Sequence, residues 1–187
     1  MIAYLGGFSP HKNLEALVGA FAHLAARSEF SDLRLVMVGD TSGDAFHTYF
    51  GTIAAQVAQM GLNDRVVFTG YLSDEDVVVL LNLASVLVLP SLMEGFGLPA
   101  VEAAACGCPV IATQESPLAA LLDGGAISIR PCQTEIEQAL ESVLSSEEMR
   151  RRMSRAGRAA AHALTWDNAA RQMMQVIDAV SERAVPA

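Results

Sequence analysis

Six short apolar runs recur along this chain: IAYLGG (2–7), LRLVMVG (33–39), RVVFTG (65–70), SVLVLP (85–90), PVIAT (109–113) and AISIR (126–130). Strands with one wet face alternate apolar and polar residues, whereas runs apolar throughout belong to strands covered on both faces. Between the runs the spacing becomes helical. Leu14, Leu17, Val18, Phe21, Leu24 and Ala25 fall three and four residues apart and make one apolar stripe. Strands that alternate with helices imply right-handed crossovers and a parallel sheet. The expectation is an α/β fold, a Rossmann-like doubly wound parallel sheet of about six strands flanked by helices. Beyond about Gln133 the pattern is only helical, at 133–145, 147–163 and 166–183. The last of these carries a stripe of Trp166, Ala169, Ala170, Met173, Ile177 and Val180, whose methionines read as packing.

Length and charge narrow the function. The 187 residues suffice for one generous domain, and a formal net charge of −9 argues against nucleic acid as a partner. Three cysteines at Cys106, Cys108 and Cys132 are too few for a disulfide framework or a zinc ribbon. The CxC pair reads as small buried hydrophobes, and the whole as a reduced, cytoplasmic protein. No run reaches the roughly 20 apolar residues of a membrane span. Met1 is followed at once by a core strand, which suggests a piece of something longer.

Doubly wound sheets bind ligands at the loops beyond the carboxyl ends of their strands. Those loops are GGFSPHKN, GDTSGD, TGYLSDED, PSLMEGFGLP and ATQESP. In MEGFGLPAVEAAACG, Gly95 and Gly97 allow backbone conformations closed to other residues, and Pro99 suits the first turn of a helix ending at Gly107. The amides of Phe96, Gly97 and Leu98 are then expected at the positive end of a helix, a ready anion site. Glu102, in or just past the first turn, has Val101, Ala103, Ala104 and Ala105 for company, which suggests tight packing. A buried unpaired carboxylate costs on the order of several kcal/mol, so partners with donor groups are expected for it. Glu94 alone reads equally as a loop carboxylate, and Lys12 alone as a helix-start lysine.

Glu94 and Glu102 enclose seven residues, and EGFGLPAVEAAACGCPVIAT resembles the E-x7-E signature of the family 4 glycosyltransferases. GGFSPHKNLEALVGAF, LRLVMVGD, VVFTGYLSDED, ASVLVLPSLMEGFGLP and ALTWDNAA resemble further blocks of that family in the same order, over nearly the whole chain. The resemblance implies one half of a GT-B fold, with residues 1–187 as the nucleotide-sugar-binding domain of a retaining, metal-independent enzyme. Helix 166–183 would pack towards an absent N-terminal acceptor domain. Glu102 would bind the ribose hydroxyls and Glu94 would face the sugar. Phe96, Gly97 and Leu98 would contact the sugar or diphosphate, and Lys12 would neutralise the leaving diphosphate. Gly70 and Tyr71 would lie by the base. The GGFSPHKN loop is similar to mannosyltransferase members, so GDP-mannose is the expected donor, with UDP-sugars behind. No cofactor or metal is implied, and peripheral association of the complete protein with a membrane is compatible with it.

Gly7 departs from the pattern, since many relatives carry an arginine there; His11 is the nearest cationic substitute. Ala119-Ala120 likewise stands where Pro-Glu is frequent. A non-catalytic nucleotide-sugar-binding module is the alternative reading. A glycosidase acid pair is disfavoured, because Glu102 on a helix among small residues is poorly set to face a glycosidic bond. Ser73 with Asp76 reads as a helix cap, Asp40 and Asp44 as turn or cap residues. His23, His47 and His162 lie in separate contexts without a ligand set.

Overall fold

The computed structural model describes residues 1–41 and 49–183. Strands β1 (Ile2–Leu5), β2 (Leu35–Val38), β3 (Val66–Gly70), β4 (Val86–Leu89), β5 (Val110–Thr113) and β6 (Ala126–Ile129) form one sheet. Its order is β3-β2-β1-β4-β5-β6, and every pairing is parallel. The helices are α1 (Leu14–Ala25), α2 (Tyr49–Gln59), α3 (Asp74–Leu83), α4 (Leu98–Cys106), α5 (Leu118–Leu121), α6 (Gln133–Ser145), α7 (Glu147–Ala163) and α8 (Trp166–Arg183).

The expected doubly wound sheet is present, with one physical refinement. β1, β2, β4 and β5 are buried along their whole length, as continuously apolar strands must be. The two edge strands are not. Val67 of β3 and Ser128 of β6 are exposed, because an edge strand lacks a neighbour on one side and its helices do not reach over it. Right-handed crossovers then put α1 and α2 on one face and α3 and α4 on the other, since the direction of strand addition reverses after β3. α6 packs on α1, and α7 packs on α4. The α1 stripe faces the core, with Leu14, Leu17, Val18, Phe21 and Leu24 fully buried.

Local signals behave as their chemistry requires. Ser73 caps α3 by accepting the Asp76 N–H at 3.2 Å, and Ser146 caps α7 by accepting the Met149 N–H at 3.1 Å. The cysteine reading needs correction: Cys108 is buried, but Cys106 is half-buried and Cys132 exposed. Burial pushes the Cys108 thiol up to about 12.

The packing expected of the α8 methionines is not made within the described residues. The stripe is there, yet nothing among the described residues covers it: Trp166 is 89% exposed and Met173 63%. α8 runs past the sheet, and only its first turns approach α4, across a groove of about 360 Å³ lined by Phe96, Leu98, Val101, Leu164, Trp166 and Ala169. Among the described residues no helix is long and apolar enough to cross a membrane.

Candidate functional site

Where strand order reverses, between β1 and β4, the chain leaves the two strands towards opposite faces of the sheet and opens a crevice at their carboxyl ends. The loop after β1 is anchored from below. Phe8 is fully buried, its ring 5.3 Å from that of Phe50 and 5.9 Å from that of Phe68. The Tyr4 hydroxyl donates to the Gly7 carbonyl at 2.7 Å. From there Pro10–Lys12 make one 3₁₀ turn. The loop after β4 is tied to it, because the Leu92 N–H donates to the His11 carbonyl at 2.8 Å. It is tied to the loop after β5 as well, through the Glu94 N–H and the Glu115 carbonyl at 3.0 Å.

The two loops meet in an ion pair. Lys12 Nζ lies 2.8 Å from Glu94 Oε2, with their side chains 21% and 14% exposed. The Ser91 hydroxyl, fully buried, donates to the same oxygen at 2.9 Å. Burial alone would raise the Glu94 carboxyl. Hydrogen bonds from Lys12 and Ser91, the Lys12 charge and the Gly95 N–H outweigh it and hold the group below the usual carboxylate range. A depressed carboxyl stabilises the fold above its unfolded-state value, and that stabilisation is lost as pH falls through the folded-state value. The expected result is a melting-temperature gap between the unmodified chain and Glu94→Gln that is level from pH 7 to pH 5.5 and narrows below about pH 4. A gap that stays level to pH 3 would show that the carboxylate gains nothing from its partners.

α4 begins against this pair. Gly97, its N-cap, has φ +72°, which favours glycine, and a Cβ there would stand 2.7 Å from Leu118 Cδ1, so a larger residue would also have to displace that side chain. Gly95 does not share this need; its role is the N–H given to Glu94. Pro99 lies in the first turn as expected. Among the described residues no hydrogen bond is found for the N–H of Phe96, Gly97 or Leu98, and Phe96 and Leu98 are exposed. Such N–H groups are the donors that every helix N-terminus offers to solvent or to an anion.

Glu102 departs from expectation. It is exposed and sits in the second turn of α4, because the helix buries Ala100, Ala103 and Ala104 and turns Leu98, Glu102 and Ala105 outward. The desolvation argument for a partner therefore lapses. Side chains on a helix incline towards its N-terminus, however, so Glu102 leans over the turn bearing Leu98.

The remaining candidates follow β1 and β3, at the carboxyl ends of those strands. Gly7 is exposed, and nothing lies within 4 Å of where its Cβ would be. His11 is exposed, its Nδ1 3.2 Å from the Ser9 hydroxyl. Gly70 ends β3 and Tyr71 follows it, two strands from β1, and Tyr71 is 83% exposed. The Gly6 N–H donates to the Val38 carbonyl at 3.0 Å and the Gly39 N–H to the Gly70 carbonyl at 3.2 Å, carrying the ladder across these strand ends. Asp40 follows β2, whereas Asp44 and His47 lie outside the described residues. Among the described residues no cluster of three His, Cys, Asp or Glu side chains is arranged to hold a metal.

Sequence reading missed three contributors: Phe8, Ser91 and Asn13. Phe8 looked like a loop residue, and Ser91 could be found only by knowing which side chain faces Glu94. Asn13 had a legible signal. It is the only non-glycine with positive φ among the described residues (φ 55°), in the conformation asparagine tolerates best after glycine.

A parallel sheet in the order 3-2-1-4-5-6 with helices on both faces is a Rossmann-like α/β domain. The family model for glycosyl transferases group 1 matches residues 1–160, and the chain belongs to that family. It is 29% identical over 182 residues to mannosylfructose-phosphate synthase from Agrobacterium fabrum, covering 95% of this chain and 40% of that one. It is 29% identical over 184 residues to the GDP-mannose-dependent alpha-(1-6)-phosphatidylinositol dimannoside mannosyltransferase of Mycobacterium tuberculosis, covering 97% and 44%. Sucrose-phosphate synthase from Thermosynechococcus elongatus superimposes with a TM-score of 0.83 at 29% identity, over 98% of this chain and 46% of that structure. The chain thus spans less than half the length of these relatives, which are glycosyltransferases of the GT-B fold.

Proposed function

We propose that this chain is the donor-binding half of a retaining glycosyltransferase that uses a nucleotide-diphospho-sugar. The observation that carries the reading is the Lys12–Glu94 pair at the β1/β4 switch point, beside the open amides of α4. A pyrophosphate needs cationic and N–H donors, and Lys12 with Phe96, Gly97 and Leu98 supplies both kinds. A sugar needs acceptors and donors for its hydroxyls, and the Glu94 carboxylate is an acceptor at the right place for them. In this reading Glu102 takes the ribose hydroxyls, Gly70 and Tyr71 border the base, and Gly7 and His11 flank the diphosphate.

Catalysis then consists of stabilising what leaves. As the bond from the anomeric carbon to the diphosphate oxygen breaks, negative charge gathers on that oxygen, and Lys12 and the α4 amides stabilise it more than they stabilise the bound donor. The acceptor hydroxyl arrives on the same face and passes its proton to the departing diphosphate oxygen as the new glycosidic bond forms. The positive charge required comes from the chain itself, so no metal is assigned a part. We assign the acceptor to a second domain, supported by the short span of the relatives that this chain covers and by the bare apolar face of α8. The donor is read as GDP-mannose, by likeness to a GDP-mannose-dependent relative, with UDP-sugars next. A cytoplasmic setting, with peripheral membrane contact by the complete protein, belongs to the same proposal.

Gly7 favours a second reading, a module that binds nucleotide sugar without turning it over. No side chain there assists the diphosphate, and Lys12, the cation found beside it among the described residues, is already paired. Calorimetric titration of the chain with GDP, UDP and ADP, then with their sugars, tests both. Binding of one nucleoside diphosphate is expected, and transfer once the second domain is supplied. Binding without transfer would favour the module, and no binding by any would end the proposal.

A further inference from the structure

Asn13 has no part in the reading above, yet the crevice is closed around it. Its φ of 55° and ψ of 38° end the 3₁₀ turn that carries Lys12, and its own N–H donates to the Pro10 carbonyl at 3.1 Å. Its side-chain amide nitrogen donates to the Pro90 carbonyl at 3.1 Å and to the Pro131 carbonyl at 2.9 Å. Pro90 directly follows β4, on the approach to Ser91 and Glu94, and Pro131 follows β6 on the approach to α6. These carbonyls are 77 and 118 residues away in the chain, and both amide hydrogens are used. One side chain therefore joins the loops after β1, β4 and β6.

The consequence is geometric. Lys12 and Glu94 belong to two loops that no covalent segment links closely, and among the described residues the Leu92–His11 bond is the one main-chain tie between them. We infer that Asn13 is a positioning residue of the donor site, whose amide holds the Lys12 turn against the Glu94 loop and so sets where the ammonium meets the diphosphate. The inference rests on the donor-binding reading of that crevice. A small displacement of a charged group is enough to matter, since contacts of this kind fall off steeply with misplacement.

Asparagine here does two things that substitution can separate. Glycine accepts the left-handed backbone at no steric cost but removes both amide donations. Asn13→Gly is expected to keep a cooperative thermal transition while binding GDP or UDP, whichever the unmodified chain binds, about tenfold more weakly. The same change made on a Lys12→Gln background, read by ligand-observed NMR, is expected to weaken binding by less than twofold, because a residue acting through Lys12 has nothing left to position. If Asn13→Gly does not fold, Asn13→Ala, which lacks the N–H donors and adds no charge, at some steric cost in the left-handed backbone, is read in the same way.

Parental affinity in either variant would overturn the inference. So would a tenfold loss that persists undiminished on the Lys12→Gln background, or failure of both variants to fold, which would make Asn13 a structural residue only. If the unmodified chain binds neither GDP nor UDP, the donor-site reading itself falls and takes the inference with it. Binding by the unmodified chain together with parental affinity in Asn13→Gly removes the inference alone.

Discussion

Replacing Lys12 with alanine is expected to lower glycosyl transfer by the complete enzyme by about 10²–10³, the effect of removing one electrostatic donor aimed at developing charge. The loss has two sources here. The ammonium that would meet the leaving diphosphate is gone, and Glu94, 2.8 Å from it in the unmodified chain, is left with only Ser91 and the Gly95 N–H. An unneutralised carboxylate beside a pyrophosphate repels it. The double variant Lys12→Ala/Glu94→Gln should therefore bind a nucleoside diphosphate more tightly than Lys12→Ala alone, although less tightly than the unmodified chain. Affinities measured in the four variants of this cycle check the coupling. Equal affinity in Lys12→Ala and the unmodified chain would mean that the pair is an ordinary structural salt bridge.

The second large effect is on stability. A Cβ on Gly39 would lie 2.1 Å from the Gly6 carbonyl oxygen, and the obstacle is main chain. A flexible side chain can swing aside, but Gly6 is fixed by its N–H bond to the Val38 carbonyl at 3.0 Å. Gly39→Ala must then push the end of β2 away from β1 and is expected to cost about 3 kcal/mol, at the upper end of overpacking substitutions. For a domain of this size that corresponds to a fall in melting temperature of roughly 6–12 °C. Gly7→Ala, with open space around its Cβ, is the matched control and should melt within about 2 °C of the unmodified chain. Thermal denaturation followed by circular dichroism reads both. A Gly39→Ala chain as stable as the parent would show that the loops at the strand ends are more compliant than their hydrogen bonds imply.

These two predictions come from different depths of the sequence. The sheet was legible because strands buried on both faces must be apolar throughout, and all six runs became strands. The three C-terminal helices were legible in the same way, through their spacing. Burial at the margins was not. Whether Glu102 faces core or solvent depends on which side of α4 meets the sheet, and three alanines beside it misled the reading towards the core. Met173 likewise looked like filler, since a stripe on a helix records that something covers it without recording what.

The site divides along the same line. Gly97 and Pro99 were readable because a left-handed N-cap and a first-turn proline are local requirements. That Lys12 and Glu94 meet could be expected only from family likeness, because 82 residues separate them and their contact is made by strand order. Asn13 and Ser91 are long-range partners too, and one-dimensional spacing carries no trace of a bond to the Pro131 carbonyl. Residues that act through their own backbone can be found in a sequence, and residues that act through a distant loop need the fold.

The central claim is that an ammonium, a carboxylate and a helix N-terminus converge on one diphosphate. Amide and side-chain NMR shifts of the chain, followed while GDP and then UDP are added, test it most directly. The expected result is saturable movement, with at least one of the two, concentrated at Lys12, Glu94 and the amides of Phe96, Gly97 and Leu98, and shifted to much higher ligand concentration in Lys12→Ala. Saturable binding that leaves those five residues unmoved, or that survives unchanged in Lys12→Ala, would contradict it.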